Sequence, residues 1–209
     1  MELDRLAFLE TLAATSEGGL SPLALEHLDR FASLLFERIP TLALISKGDR
    51  RTLYTRHLLD SLNPLALFDR APECALDIGS GGGLPGIPLA VVWPGSRVVL
   101  LESREKKGAF LERTVRTMGL RNVKVACERL EEHARKGEPL YNAVFIRAVA
   151  DTPRLIDEIA PRCHPGARWV YFAGGGFDRE LFRRELEITG RTGEEAEGRF
   201  GGRLLYGSV

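Results

Sequence analysis

Apolar residues recur with a helical period over the first seventy positions. Leu3, Leu6, Phe8, Leu9, Leu12 and Ala13 fall near 3.6 residues per turn. A second stretch gathers Leu25, Leu28, Phe31, Ala32, Leu35, Phe36 and Ile39 on one side. Ser21-Pro22 offers that helix an N-cap and a proline at its first position, and Pro40 is expected to end it. Residues 41–51 read as a loop and 52–68 as a third helix. At residue 73 the pattern changes. Glu73-Cys-Ala-Leu-Asp-Ile-Gly-Ser-Gly81 is a short apolar run that ends in a glycine-rich turn. Further strands are predicted over 97–102, 123–126, 141–146 and 167–173. Helices are predicted over 86–92, 105–118, 129–136, 153–161 and 178–186. In the second of these strand–helix units Phe110, Leu111, Val115 and Met118 point inward. The glycine-rich tail, 187–209, reads as a strand pair.

Strands that alternate with helices predict an α/β fold, a doubly wound and mostly parallel sheet covered on both faces. Such a sheet binds its ligand beyond the carboxyl ends of its strands, near the switch in strand order. The expected organisation is an N-terminal helical extension, 1–70, packed on a core of 71–209 that forms one compact unit.

Composition narrows the class. The 44% hydrophobic and 28% charged residues of this 209-residue chain are a globular mix, which excludes a disordered chain. With 29 basic and 29 acidic residues the formal charge is zero, so the chain is no polycation that would coat nucleic acid or a membrane indiscriminately. The balance is uneven, however. Residues 97–147 hold 12 basic and 7 acidic side chains, a local +5. Arg104, Lys106, Lys107, Arg113 and Arg116 in that block could follow the phosphates of an anionic partner, or could be solvated helix faces.

The three cysteines are widely spaced and form no CxxC, so neither a disulfide framework nor a zinc site is indicated. Cys74 and Cys127 sit among apolar residues and are expected to be buried. His27, His133 and His164 show no metal-ligand spacing, and no metal is expected. The acidic N-terminus is unlike a signal peptide, and no apolar run approaches the ~20 residues that span a bilayer. The expected setting is the reducing cytoplasm.

The strongest motif is Asp77-Ile-Gly79-Ser80-Gly81-Gly-Gly83-Leu84-Pro-Gly86, placed where a strand feeds a helix. Glycines there let the chain turn at positive φ and let a ligand approach the backbone. Two cofactor classes fit. Gly81-x-Gly83-x-x-Gly86 matches the dinucleotide fingerprint, with Glu102 about 20 residues on as a ribose-binding acid. Asp77-x-Gly79-x-Gly81-x-Gly83 also matches the first loop of S-adenosylmethionine-dependent methyltransferases. Placement favours the second: the dinucleotide register pushes the turn past the strand end, and Pro85 and Pro88 crowd the helix start.

With these residues in hand, the chain resembles the glucose-inhibited division protein B family, bacterial small-subunit (16S) ribosomal RNA guanine-N7 methyltransferases. Three segments carry the resemblance: Arg56-His57-Leu-Leu-Asp60-Ser61, the loop Asp77–Leu89 with its LPGIPL continuation, and Arg147-Ala-Val-Ala150. Their order and spacing also agree, from about residue 20 to 190.

The resemblance implies a class I methyltransferase fold, S-adenosyl-L-methionine as methyl donor, and ribosomal RNA or the small ribosomal subunit as partner. It implies that Asp77, Gly79, Ser80, Gly81, Gly83 and Leu84 form the donor loop. Glu102 would accept the ribose hydroxyls, with Ser103 and Arg104 beside it. Leu130 and Glu131 would flank the adenine. Arg147 would sit at the donor or at the incoming base, with no general base expected. Arg56, His57, Asp60 and Ser61 would lie on the substrate side.

Some positions differ from the family pattern. Ala43-Leu44-Ile45-Ser46 stands where an Asn-Leu-Thr-like segment is usual. Asn142 replaces an aspartate. Phe172-Ala173-Gly174-Gly175-Gly176 replaces a Lys-Gly pair, and the chain closes on a neutral strand. These differences keep three alternatives open: a relative that binds the donor without transferring methyl, a methyltransferase on another substrate, and, remotely, an NAD-type oxidoreductase.

Overall fold

The computed structural model describes residues 1–14, 19–137, 140–149, 152–173, 178–188 and 190–209. Ala150 of the third motif and Gly174–Gly176 after the fifth strand lie outside them.

Seven strands form one sheet in the order β3-β2-β1-β4-β5-β7-β6. Strands β1 (Cys74–Ile78), β2 (Arg97–Leu101), β3 (Val123–Ala126), β4 (Tyr141–Arg147) and β5 (Cys163–Ala173) run parallel. Strand β7 (Arg203–Ser208) joins β5 antiparallel, and β6 (Glu194–Glu197) pairs with β7. The strand pair of the tail is therefore an extension of the main sheet. Strand β5 starts four residues earlier than its apolar run, because Cys163 already pairs with Tyr141 across an irregular register.

The strand residues alternate between two cores, as period-2 geometry demands of a sheet covered on both sides. Ala75, Val98, Leu100, Ala143 and Phe145 face one cluster; Leu76, Val99, Leu101, Val144 and Ile146 face the other. The first cluster also takes Phe8 of α1 (Glu2–Ala14), Leu28, Phe31 and Leu35 of α2 (Pro22–Leu42), and residues of α4 (Gly86–Val92) and α5 (Glu105–Met118). The second is closed by Ile156 of α7 (Thr152–Ile159) and Phe182 of α8 (Arg179–Ile188). On α5 the inward residues are Phe110, Leu111, Thr114 and Met118, with Val115 only half-buried.

Two helical expectations need correction. Helix α2 passes through Pro40 and stops at Ala43, which adopts a left-handed conformation with φ 46°. A proline in the last turn removes only one amide donor, and buried Ile39 keeps that turn on the core. Residues 52–68 form no single α-helix. A 3₁₀ turn (Lys47–Thr52) leads into a π-helical turn (Leu53–Leu58), the short α3 (Leu59–Leu62) and another 3₁₀ turn (Asn63–Ala66). Leu53, Tyr54, His57, Leu58, Leu59, Ser61 and Leu62 are all buried, more of the circumference than one α-helical face provides. The Asp4 carboxylate caps the start of the π turn by accepting from the Tyr54 and Thr55 amides at 2.7 and 3.1 Å.

Cys74 is buried as expected, but Cys127 is exposed at the end of β3. His133, in α6 (Leu130–Ala134), is buried between Glu128 and Tyr141, 2.6 Å from each, and ties that helix to β4. Among the described residues no helix is long and apolar enough to cross a membrane, and no cluster of side chains could hold a metal ion.

Candidate active site

The order of the sheet reverses direction between β1 and β4, and the glycine loop leaves the sheet at that point. Gly79, Gly81 and Gly83 all have positive φ, at 72°, 54° and 87°. A Cβ on Gly79 would come within 2.6 Å of the Val149 side chain, and one on Gly83 within 2.5 Å of Ile87. Only glycine meets both demands, the backbone angle and the close approach. The Gly79 and Ser80 amides donate to the Leu101 carbonyl at 2.8 and 3.0 Å, which fixes the loop to the end of β2.

Asp77 lies beneath this loop rather than in it. It is 1% exposed, and Oδ2 accepts the Gly86 amide at the start of α4. Burial raises its pKa to about 7, against smaller lowering effects from Ser80 and Gly86. Gly86 itself packs so tightly that a Cβ would fall 2.2 Å from Leu100. The third glycine of the dinucleotide register thus does press helix on strand, although Pro85 and Pro88 flank it.

Glu102 follows β2 and is 6% exposed. Its two oxygens accept the Gly81 and Arg104 amides at 2.9 and 2.8 Å. No cation neutralises it among the described residues, and each oxygen retains a lone pair. Ser103 and Arg104 are exposed beside it. Leu130 is buried at the start of α6, and Glu131 is half-buried, 3.7 Å from Arg154.

A cavity of about 700 Å³ opens over the ends of β1, β4 and β5. Gly79, Ser80 and Leu84 form its floor, and Arg147, Ala148 and Ala173 one wall. Arg56, His57 and Asp60 continue that wall. The first and third motifs meet here, ninety residues apart. Arg147 Nη2 lies 2.9 Å from Asp60 Oδ2 and 3.0 Å from His57 Nδ1, while Nη1 donates to Ser61 Oγ at 3.1 Å. A guanidinium cannot accept a hydrogen bond, so His57 Nδ1 is the acceptor and the ring proton sits on Nε2. Burial and then the Arg147 charge lower the His57 pKa to about 4, so the ring is neutral at pH 7. Its Nε2 stands 3.4 Å from Asp49, which is paired in turn with Arg56. Ala148, directly after Arg147, has φ 52°, a strained angle for a residue with a Cβ.

Several lining residues had no signal in the sequence. Asp49 is a lone acid in the 3₁₀ turn Lys47–Thr52, a segment the sequence read as a loop. Asn63 reaches the C-terminal segment, where Oδ1 accepts the Phe200 amide at 2.8 Å. Gly198 and Gly202 let that segment cross the Asn63 side chain, since a Cβ there would lie 2.3 and 2.8 Å from it. The glycine-rich tail could have hinted at this contact.

The positions that differ from the family pattern separate in space. Ala173 lines the cavity, as do Leu44, Ile45 and Ser46. Ala43 only caps α2. Asn142 is at the far end of β4, where it accepts the Cys74 amide at 3.0 Å.

Comparison with known proteins bears on the family and the fold. The chain is 36% identical over 179 residues to a ribosomal RNA small subunit methyltransferase G of Roseiflexus castenholzii, covering 84% of this chain and 76% of that protein. It is 39% identical over 162 residues to one of Carboxydothermus hydrogenoformans, covering 72% and 68%. Solved structures share the fold at low identity. An O-methyltransferase of tomaymycin synthesis from Streptomyces achromogenes, in complex with SAM, aligns with a TM-score of 0.61 at 20% identity over 100% of this chain and 99% of that one. A SAM-dependent methyltransferase of Aquifex aeolicus gives 0.59 at 17% identity over 79% and 99%. Residues 24–197 match the family described as GidB, rRNA small subunit methyltransferase G, and the chain belongs to that family.

Proposed function

We propose that the protein transfers a methyl group from S-adenosylmethionine to guanine N7 of small-subunit ribosomal RNA, in the cytoplasm. The observation that carries the reading is the joined loop: three glycines at positive φ, fixed to β2, beside a buried carboxylate with no cation partner among the described residues. A buried acid held only by two amides fits a pair of ribose hydroxyls, because charge-assisted hydrogen bonds then complete its shell.

In this reading Gly79, Ser80, Gly81, Gly83 and Leu84 hold the donor, Glu102 takes its ribose, and Leu130 and Glu131 flank its adenine. Asp77 braces the loop from below. When bound, the donor supplies an electrophilic methyl on a sulfonium. Guanine N7 offers a lone pair and has no proton to lose, so the chain needs no general base. A neutral His57 suits that requirement. The chain's tasks are to position the base and to exclude water. The base must leave its stack to enter the cavity. Arg147 acts as a positioning residue, because Asp60, Ser61 and His57 already occupy its Nη donors.

Incubation with labelled donor and small ribosomal subunits is the test. Label at a guanine N7, lost in Glu102→Gln, is the expected result; wild type that binds no donor and transfers no label would refute the reading. A second reading has one observation in its favour, Ala173 in the cavity wall where the resembled family carries lysine. It expects donor binding without transfer to any ribosomal substrate.

A further inference from the structure

The charged side chains around the cavity are not equivalent. Asp49 is paired with Arg56, and Asp60 with Arg147. Lys107 is the exception. It lies in the first turn of α5, half-buried, and lines the cavity where the other cations of its block, Arg104, Lys106, Arg113 and Arg116, are exposed. Its Nζ stands 3.8 Å from where a Cβ on Gly81 would be, so the ammonium lies beside the glycine loop. Among the described residues no carboxylate lies within ion-pairing distance of it.

We infer that Lys107 holds the carboxylate of the donor's amino-acid moiety, and that its role is separate from any contact of the basic block with RNA phosphates. This rests on the donor-binding part of the proposed function. An unpaired ammonium on the wall of a partly enclosed cavity favours an anion there, and a cation–carboxylate hydrogen bond is among the stronger polar contacts. The loop beside it is the segment proposed to hold the donor. The amino-acid moiety carries the donor's one carboxylate, so its anionic group and the free cation coincide at Gly81. A lysine supplies this charge as a flexible point donor, and arginine can substitute for it in charge though not in shape.

The experiment compares two ligands on the full-length protein by calorimetry: S-adenosylmethionine and decarboxylated S-adenosylmethionine, which lacks only the carboxylate. Wild type is expected to prefer the carboxylated ligand by about tenfold or more, the range of a hydrogen bond between charged groups. Lys107→Met should lose that preference by weakening S-adenosylmethionine about tenfold while changing the decarboxylated ligand less than about twofold. Lys107→Arg should restore part of the preference. An equal effect of Lys107→Met on both ligands, or none on either, overturns the inference. So does normal donor affinity combined with weakened binding of a small-subunit RNA fragment, which would assign the ammonium to phosphate. Wild type that binds neither ligand would sink the donor reading as well, and the two failures are thereby told apart. Because Lys107 is half-buried at the surface, an unchanged melting temperature of the variant confirms that the fold is not the variable.

Discussion

Ala43 ends α2 in the left-handed region, where a Cβ is unfavourable and glycine or asparagine is at ease. Ala43→Gly or Ala43→Asn should therefore stabilise the protein by about 0.5–1 kcal/mol, visible as a rise of about 1–3 °C in melting temperature. The difference from the resembled family at this position is a matter of stability, since Ala43 does not line the cavity. Asp77 makes a second test at the same scale. A free aspartate loses its proton near pH 4, whereas Asp77 keeps it to about pH 7. Between those values the folded chain binds more protons than the unfolded one, so stability falls as pH rises through the interval. Asp77→Asn preserves an acceptor for the Gly86 amide and removes the titration. Its melting temperature should match wild type near pH 4 and exceed it at pH 8.

At the scale of elements, the joint between β4 and the π-helical turn is the point to break. Arg147→Met leaves Asp60 partly buried without its cation, and the loss should be about 2–4 kcal/mol. Adding Asp60→Asn should recover part of it, a coupling measurable by chemical denaturation of the two single variants and the double one.

How readily each element was legible in the sequence follows from the range of its contacts. Strands β1, β2 and β4 were readable because their buried residues form short, largely apolar runs. The glycine loop was readable because its angles admit one residue type. The segment 52–68 was not, because its apolar residues surround the axis and a helical period cannot distinguish a π turn from an α turn. Nor could the sequence show that Arg147 spends its Nη donors on Asp60, Ser61 and His57. That contact joins positions ninety residues apart, and no local pattern encodes it. The same limit hid Lys107, one basic residue in a run, which only the packing of α5 turns toward the cavity.

For the whole molecule, we read the N-terminal helices and the sheet as one cooperative unit. The first core cluster takes side chains from α1, α2 and the sheet alike. Trp93 belongs to that cluster, with its ring 5.6 Å from Phe68 and 6.0 Å from Phe145; Trp169 belongs to the other, 6.2 Å from Phe182. The two tryptophans thus report on opposite faces of the sheet. Variants that each retain one of them should unfold at the same denaturant concentration, and that midpoint should coincide with the loss of helical circular dichroism. Separate midpoints would show that the two faces of the sheet unfold independently.

The sheet ends at β6, whose four residues include Glu194, Glu195 and Glu197. One side of that strand is bonded to β7, and among the described residues no strand pairs with the other. A second copy offering the same rim would bring carboxylates against carboxylates at the moment of pairing. The glutamates thus act as a guard against edge-to-edge aggregation.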